Sequence, residues 1–160
     1  MTTPEPIGHG PERVLLESML DRNRAALVTT ARGLSETDAR RRLVPSLTTP
    51  IGLIKHAAVA ERVWFQRVLA GLGEYECDGL ATPGDGSFAV GDDETLDEVI
   101  AEFERTCARS RQIAAEYDLD VVRQHWRIGT VDLRWIYLHM IAELARHAGH
   151  GDILREQIDA

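Results

Sequence analysis

An antiparallel four-helix bundle, an all-α fold, is predicted by three features of this chain. Four long stretches carry apolar residues at helical spacing. Proline and capping residues open them, and glycine or polar runs close them. No repeat or low-complexity tract interrupts them. Amphipathic helices joined by loops bury their stripes by packing on one another. With 160 residues, 44% hydrophobic and 28% charged, the expectation is one globular domain, 1–160, with its own core.

The first helix spans Pro11 to Arg32. Pro11 suits a first helical turn, and Val14, Leu15, Met19, Ala26 and Leu27 form the stripe. Gly33 ends it. A short helical turn follows, with Ser35 as its cap and Asp38 three residues on. The second helix spans Thr49 to Leu69, with Thr49 capping and Pro50 at the first helical position. Apolar residues between Ile51 and Leu69 leave little polar face, so this helix is buried. His56 lies inside that apolar run.

From Gly71 to Asp93 the periodicity disappears into a glycine-rich, acidic stretch. Loops of this length serve as lids or partner surfaces, or are disordered. This one leaves its helix some fifteen residues beyond His56, about 22 Å along the axis. A part in dimer contacts or disorder is therefore expected, and none in the mechanism, unless the loop folds back along the outside to border the metal site, which its length allows at about 3.3 Å per residue.

The third helix spans Leu96 to Tyr117, capped by Asp93 or Thr95, with Leu96, Val99, Ile100, Phe103, Cys107 and Ile113 as its stripe. A thiol on that stripe reads as structural. A connector from Asp118 to Thr130 holds a short extended piece around His125–Ile128. The fourth helix spans Val131 to Gln157.

Charge and composition exclude several roles. Eighteen Lys and Arg against 26 Asp and Glu give a net charge of −8, which disfavours nucleic acid and anionic membranes as partners. No run is long enough to span a bilayer. The N-terminal residues lack the basic and apolar regions of a signal peptide. Cys77 and Cys107 make neither a disulfide framework nor a zinc-finger spacing. A reduced, cytoplasmic protein is expected.

The chemistry concentrates near the end of the chain. His139, Glu143 and His147 recur every four residues on the fourth helix, so they drift only about 40° per step and share one stripe. Ionisable groups beside an apolar face are costly unless paired, hydrogen-bonded or metal-bound. His56 is the other histidine in an apolar helical run. His9 falls in the N-terminal tail and His125 in the connector. His56, Glu143 and His147 make two imidazoles and one carboxylate, the ligand set of an open catalytic zinc site. The same set suits iron, nickel or cobalt. The spacing equally fits a metal-free arrangement. In that case Glu143 and His147 form a helix side-chain pair worth about 0.2–0.5 kcal/mol, and His56 is a hydrogen-bonded core histidine. His139 is a fourth ligand, a hydrogen-bond partner of a ligand, or a general base. His150 reads as solvated.

A resemblance joins these pieces. The segment Thr49-Pro50-Ile51-Gly52-Leu53-Ile54-Lys55-His56, then Glu61 and Trp64, then Arg134-Trp135 and the run from His139 to Glu156, resembles the DinB-like superfamily. These are metal-binding four-helix bundles and include mycothiol-dependent maleylpyruvate isomerase. The resemblance covers nearly the whole chain, and its C-terminal part is the specific one. It implies a bundle in up-down-down-up order with a divalent metal held by His56, Glu143 and His147. Many members have histidine where this chain has Glu143. The glutamate form is that of the isomerase-like branch, which points to a thiol-related role. The isomerase carries an additional C-terminal domain for which this chain has no room, so a related activity is expected in place of that one.

The resulting expectation is a divalent-metal-dependent enzyme that transfers or isomerises with a low-molecular-weight thiol of the mycothiol type. Zinc is the first metal, with nickel or iron as alternatives. A metal favours the thiolate, the nucleophilic form. His139 is the candidate for proton transfer or for a hydrogen bond to a ligand. Trp64 and Trp135 are candidate pocket walls, though core positions are the commoner role for such aromatics. Arg134 and Arg155 are candidate carboxylate contacts, though solvated or paired surface arginines are the commoner case. The partner is a small-molecule substrate, with homodimerisation left open. The alternatives are a non-catalytic, stress-related metal-binding bundle and a metal-free bundle that works through an interface.

Overall fold

A computed structural model describes residues 1–160. The chain is mostly helical: α1 Glu12–Ala31, α2 Glu36–Ala39, α3 Pro50–Glu61, α4 Leu96–Ala114 and α5 Leu133–Asp159. Local signals act largely as read. Thr49 Oγ1 accepts from the Gly52 N–H at 3.1 Å, with Pro50 in the first turn. Ser35 caps α2. Thr95, and not Asp93, caps α4 in a reciprocal capping box with Glu98.

The all-α expectation, with one short extended piece around His125–Ile128, needs one correction. The connector forms a hairpin, β1 Val122–His125 and β2 Gly129–Asp132, with His125 opposite Gly129. Gly129 has φ +89°, the left-handed residue that closes a three-residue hairpin loop. Val131 therefore belongs to a strand, and α5 starts two residues later than expected. Asp132 caps it by accepting from the Trp135 N–H at 2.7 Å. α4 likewise stops at Ala114, short of Tyr117.

The second long helix also departs from expectation. After Glu61 it widens into a π-helix, Arg62–Leu69. Seven of these eight residues are buried, Arg62 and Gln66 among them. Both polar side chains are satisfied inside. Arg62 donates to Asp78 and Glu102, each at 2.8 Å, and Gln66 donates to Asp78 at 2.9 Å. Extended π-helix is rare and often marks a functional site.

One apolar core draws on all four long helices, with Leu27, Leu53, Phe65, Phe103, Ile136 and Leu144 among its members. Around it, α1 meets α5 through Tyr137 and Glu17, Asn23 and the Ile141 carbonyl, and Gly151 and Thr30. α3 meets α4 through Lys55 and Glu102, and the π-helix that continues it meets α4 through Arg62 and Thr106. α1 meets α4 through Arg111 and Asp21, and Arg13 and the Ala114 carbonyl. In the interior Arg24 forks onto Glu61 with contacts of 2.8 and 2.7 Å. Both residues are buried. No helix is long and apolar enough to cross a membrane.

Candidate metal centre

His56 stands in the second turn of α3, and Glu143 and His147 stand one turn apart on α5. Their ligand atoms lie within 4.8 Å of one another. Nε2 of His56 is 3.1 Å, and Nε2 of His147 is 2.9 Å, from the same Glu143 oxygen, Oε1. Where these ring nitrogens carry hydrogen, the two contacts hold the Glu143 carboxyl well below the usual carboxylate range, against the opposing effect of burial.

The tautomer of His56 is set by the loop. Ser87 is buried, and its hydroxyl donates to the Gly84 carbonyl at 2.5 Å. Its one hydrogen is spent there, so its oxygen accepts from Nδ1–H of His56, 2.8 Å away. Neutral His56 then turns a bare Nε2 lone pair toward a carboxylate oxygen. Two lone pairs at that distance repel unless a positive charge lies between them. A histidine anchored through Nδ1–H and presenting Nε2 is the usual state of a metal ligand. The donor set therefore fits a divalent cation, with two nitrogens and a carboxylate held and a side left open.

The loop takes the fold-back path and touches the cluster. The segment after α3 folds back along the bundle. Ser87 bonds to His56, and the Phe88 ring stacks on the His56 ring at 4.2 Å and 5°. Gly52 permits this approach, since a Cβ there would sit 3.1 Å from the Phe88 carbonyl oxygen. A loop of this length spans the helix easily when extended, at about 3.3 Å per residue. Axial distance along one helix was thus a poor guide to proximity.

Beside the ligands opens a cavity of about 410 Å³. Val59, Val63, Trp64 and Ile128 supply apolar wall, and His125, His139 and Glu143 supply polar edge. Trp64 lines it and also belongs to the buried core. Trp135 lies behind, stacked on His139 at 5.0 Å and 6°. His139 also packs on Trp64 at 4.6 Å. It makes no hydrogen bond to the three candidate ligands and stands outside their cluster. Burial lowers its pKa, so the ring is neutral near pH 7.

Other candidates fall elsewhere. Arg134 pairs with Glu12 and Asp120, and Arg155 pairs with Asp159 at 2.8 Å, both away from the cavity. His150 is exposed, as expected, with Nδ1 3.4 Å from Nδ1 of His147. Cys107 is buried, and burial pushes its thiol well up, which leaves it inert.

The reading of the residues missed His125. It sits on β1, buried between the Trp64 and Trp126 rings at 4.7 and 4.1 Å. The signal was present in His125-Trp126 beside Gly129, but the hairpin that turns them into the cavity is a tertiary product.

The mostly helical fold and its histidine–carboxylate cluster accord with a DinB-like protein, the superfamily to which the family match assigns the chain. The chain belongs to the mycothiol S-transferase family, whose model matches residues 15–160. A comparison with curated proteins gave no match.

Proposed function

We propose that this protein transfers a low-molecular-weight thiol of the mycothiol type onto a small apolar electrophile, with a divalent metal held by His56, Glu143 and His147. The observation that carries the reading is the pairing of a cation-ready cluster with an apolar cavity on the same wall, in a chain of the mycothiol S-transferase family. A divalent cation there would favour the thiolate form of the thiol. The protein's own residues supply the rest. His56 and His147 present Nε2, Ser87 and Phe88 fix the His56 ring, and Trp64 and Val63 exclude water from the electrophile. The thiol gives its S–H proton to neutral His139, and the sulfur forms a bond to the electrophilic carbon; in an addition His139 returns that proton, and in a substitution it passes it to solvent. In substitution the leaving group departs with the bonding pair; in addition the adjacent position receives the pair and a proton. Neutral His139 has no partner for either ring nitrogen and is the group placed to carry that proton.

The up-down-down-up order belongs to the same reading. Paired positions rise together between α1 and α5 (Glu17 with Tyr137, Thr30 with Gly151). They also rise together between α3, with the π-helix that continues it, and α4 (Lys55 with Glu102, Arg62 with Thr106). They run oppositely between α1 and α4 (Arg13 with Ala114, Arg32 with Glu104).

The test is a metal titration followed by an assay. The purified chain is stripped, loaded with zinc, nickel or iron, and given mycothiol and other thiols with an alkyl halide or an enone. Metal-dependent consumption of thiol is expected. Stoichiometric metal binding without turnover would favour the alternative of a non-catalytic metal-binding bundle. Absence of metal binding would overturn both.

A further inference from the structure

The cavity holds a polar group that neither the cluster nor the proposed transfer uses. His125 is 7% exposed and lies between two aromatic faces. Its ring is nearly parallel to both, at 15° to Trp64 and 23° to Trp126. Only its edges are free to bond. One edge is occupied: the backbone N–H groups of Arg127 and Ile128 both donate to Nδ1, at 3.1 and 3.2 Å. An atom that accepts two N–H groups carries no proton, so the ring proton sits on Nε2.

That Nε2–H has no partner. The hydrogen bonds of His125 are all at Nδ1, and the ring lines the cavity. The atom is not sealed off from the cavity, so an acceptor that enters there can reach it. Burial and the nearby Arg127 lower the ring's pKa, which keeps it neutral and the tautomer single. The geometry is that of a donor awaiting an acceptor that arrives with a ligand.

We infer that His125 and the walls formed by Trp64 and Trp126 are a subsite for the electrophile. It takes a flat or apolar group bearing a hydrogen-bond acceptor, such as a carbonyl oxygen, and Nε2–H of His125 holds that oxygen. This deepens the proposed transfer and rests on it for the ligand's role as electrophile, but binding itself needs no turnover. An enone fits the subsite in both respects. Its carbonyl oxygen accepts the hydrogen bond, and negative charge grows on that oxygen as sulfur adds at the β-carbon. The donor then strengthens along the reaction. A simple alkyl halide offers no such acceptor.

The side chain has two separable jobs, one at each nitrogen, and two substitutions separate them. Asparagine places its Oδ1 near the position of Nδ1 and accepts from the amide two residues on, as in an Asx turn. His125→Asn therefore keeps the hairpin anchor and removes the donor at the tip. Glutamine extends its amide toward the position of Nε2, so His125→Gln keeps a tip donor and loses the anchor.

Binding of acetophenone and of ethylbenzene is measured by quenching of tryptophan fluorescence, on protein with and without zinc. The two probes share a ring and differ in the carbonyl. His125→Asn is expected to weaken acetophenone binding about 2- to 10-fold, the size of one neutral hydrogen bond, and to leave ethylbenzene unchanged. His125→Gln is expected to retain more of the acetophenone affinity. Equal losses for both probes in His125→Asn, or retention in Asn with loss in Gln, would assign His125 to hairpin structure alone and overturn the inference. Failure of wild type to bind either probe would also overturn it. Thiol transfer assayed on the same proteins reports separately on the proposed function: a wild type that distinguishes the probes but transfers no thiol leaves the subsite standing and removes the transferase reading.

Discussion

The hydroxyl oxygen of Ser87 lies 2.8 Å from Nδ1 of His56 and, having donated its own hydrogen to Gly84, accepts the ring's proton. This contact joins the loop after the π-helix to the candidate metal centre. It sets which histidine nitrogen faces Glu143. Removing partners of this kind costs metal sites about 10- to 100-fold in affinity. Ser87→Ala is expected to show a loss in that range for zinc by calorimetry, with unchanged helical circular dichroism. An unchanged affinity would mean that the loop does not orient His56.

His147→Ala should abolish zinc binding and leave the bundle folded. The core that joins the four long helices contains apolar side chains well away from the cluster, Phe103 and Leu27 among them. A fold of this size does not depend on metal as a zinc finger does. Loss of helical circular dichroism in the variant, or in chelated wild type, would make the metal structural.

Gly52→Ala tests the seating of the loop. The new methyl would meet Thr49 Oγ1 at 2.8 Å and the Phe88 carbonyl at 3.1 Å. It would strain both the helix cap and the loop contact. A loss of about 1–3 kcal/mol is expected from such overpacking, together with faster proteolytic cleavage between Gly84 and Val90 and weaker zinc binding. Equal cleavage rates in variant and wild type would separate the loop from α3.

Arg24 and Glu61 form the buried ion pair of the interior, with Arg24 also on Asp21 at 2.8 Å. Breaking one partner leaves the other charged and dry. Glu61→Ala is expected to destabilise by about 3–5 kcal/mol in urea unfolding, with zinc affinity retained in the folded fraction. Since a hydrophobic replacement of both partners removes both desolvation penalties, Arg24→Met with Glu61→Leu should recover much of the loss.

Stability should fall on acidification. His125 and His139 have lowered pKa values, chiefly from burial. The folded state therefore binds fewer protons than the unfolded state. Their contribution is present above the ordinary histidine value of 6.5 and is lost as pH falls through the lowered folded values. Glu143 adds a second loss below its ordinary 4.5. Urea midpoints between pH 8 and 5 should decline, and His139→Phe should flatten the part near pH 6. A midpoint that rises toward pH 5 would contradict the neutral, buried assignment of both rings.

By itself the sequence determined the long helices, their caps and the identity of the cluster. Those features depend on signals a few residues apart. Pro50 after Thr49, Gly33 after Arg32 and the four-residue spacing of Glu143 and His147 act through one helix turn. Tertiary structure decided the rest. Ser87 and Phe88 reach His56 because the loop doubles back over Gly52, a contact between segments more than thirty residues apart. His125 enters the cavity because a hairpin closes at Gly129 and turns one face of β1 toward Trp64. The π-helix arises where Arg62 and Gln66 find acceptors on Asp78 and Glu102. In each case the contact that brings the residue to its place is made with a segment at least 12 residues away, beyond the reach of the helix-turn signals.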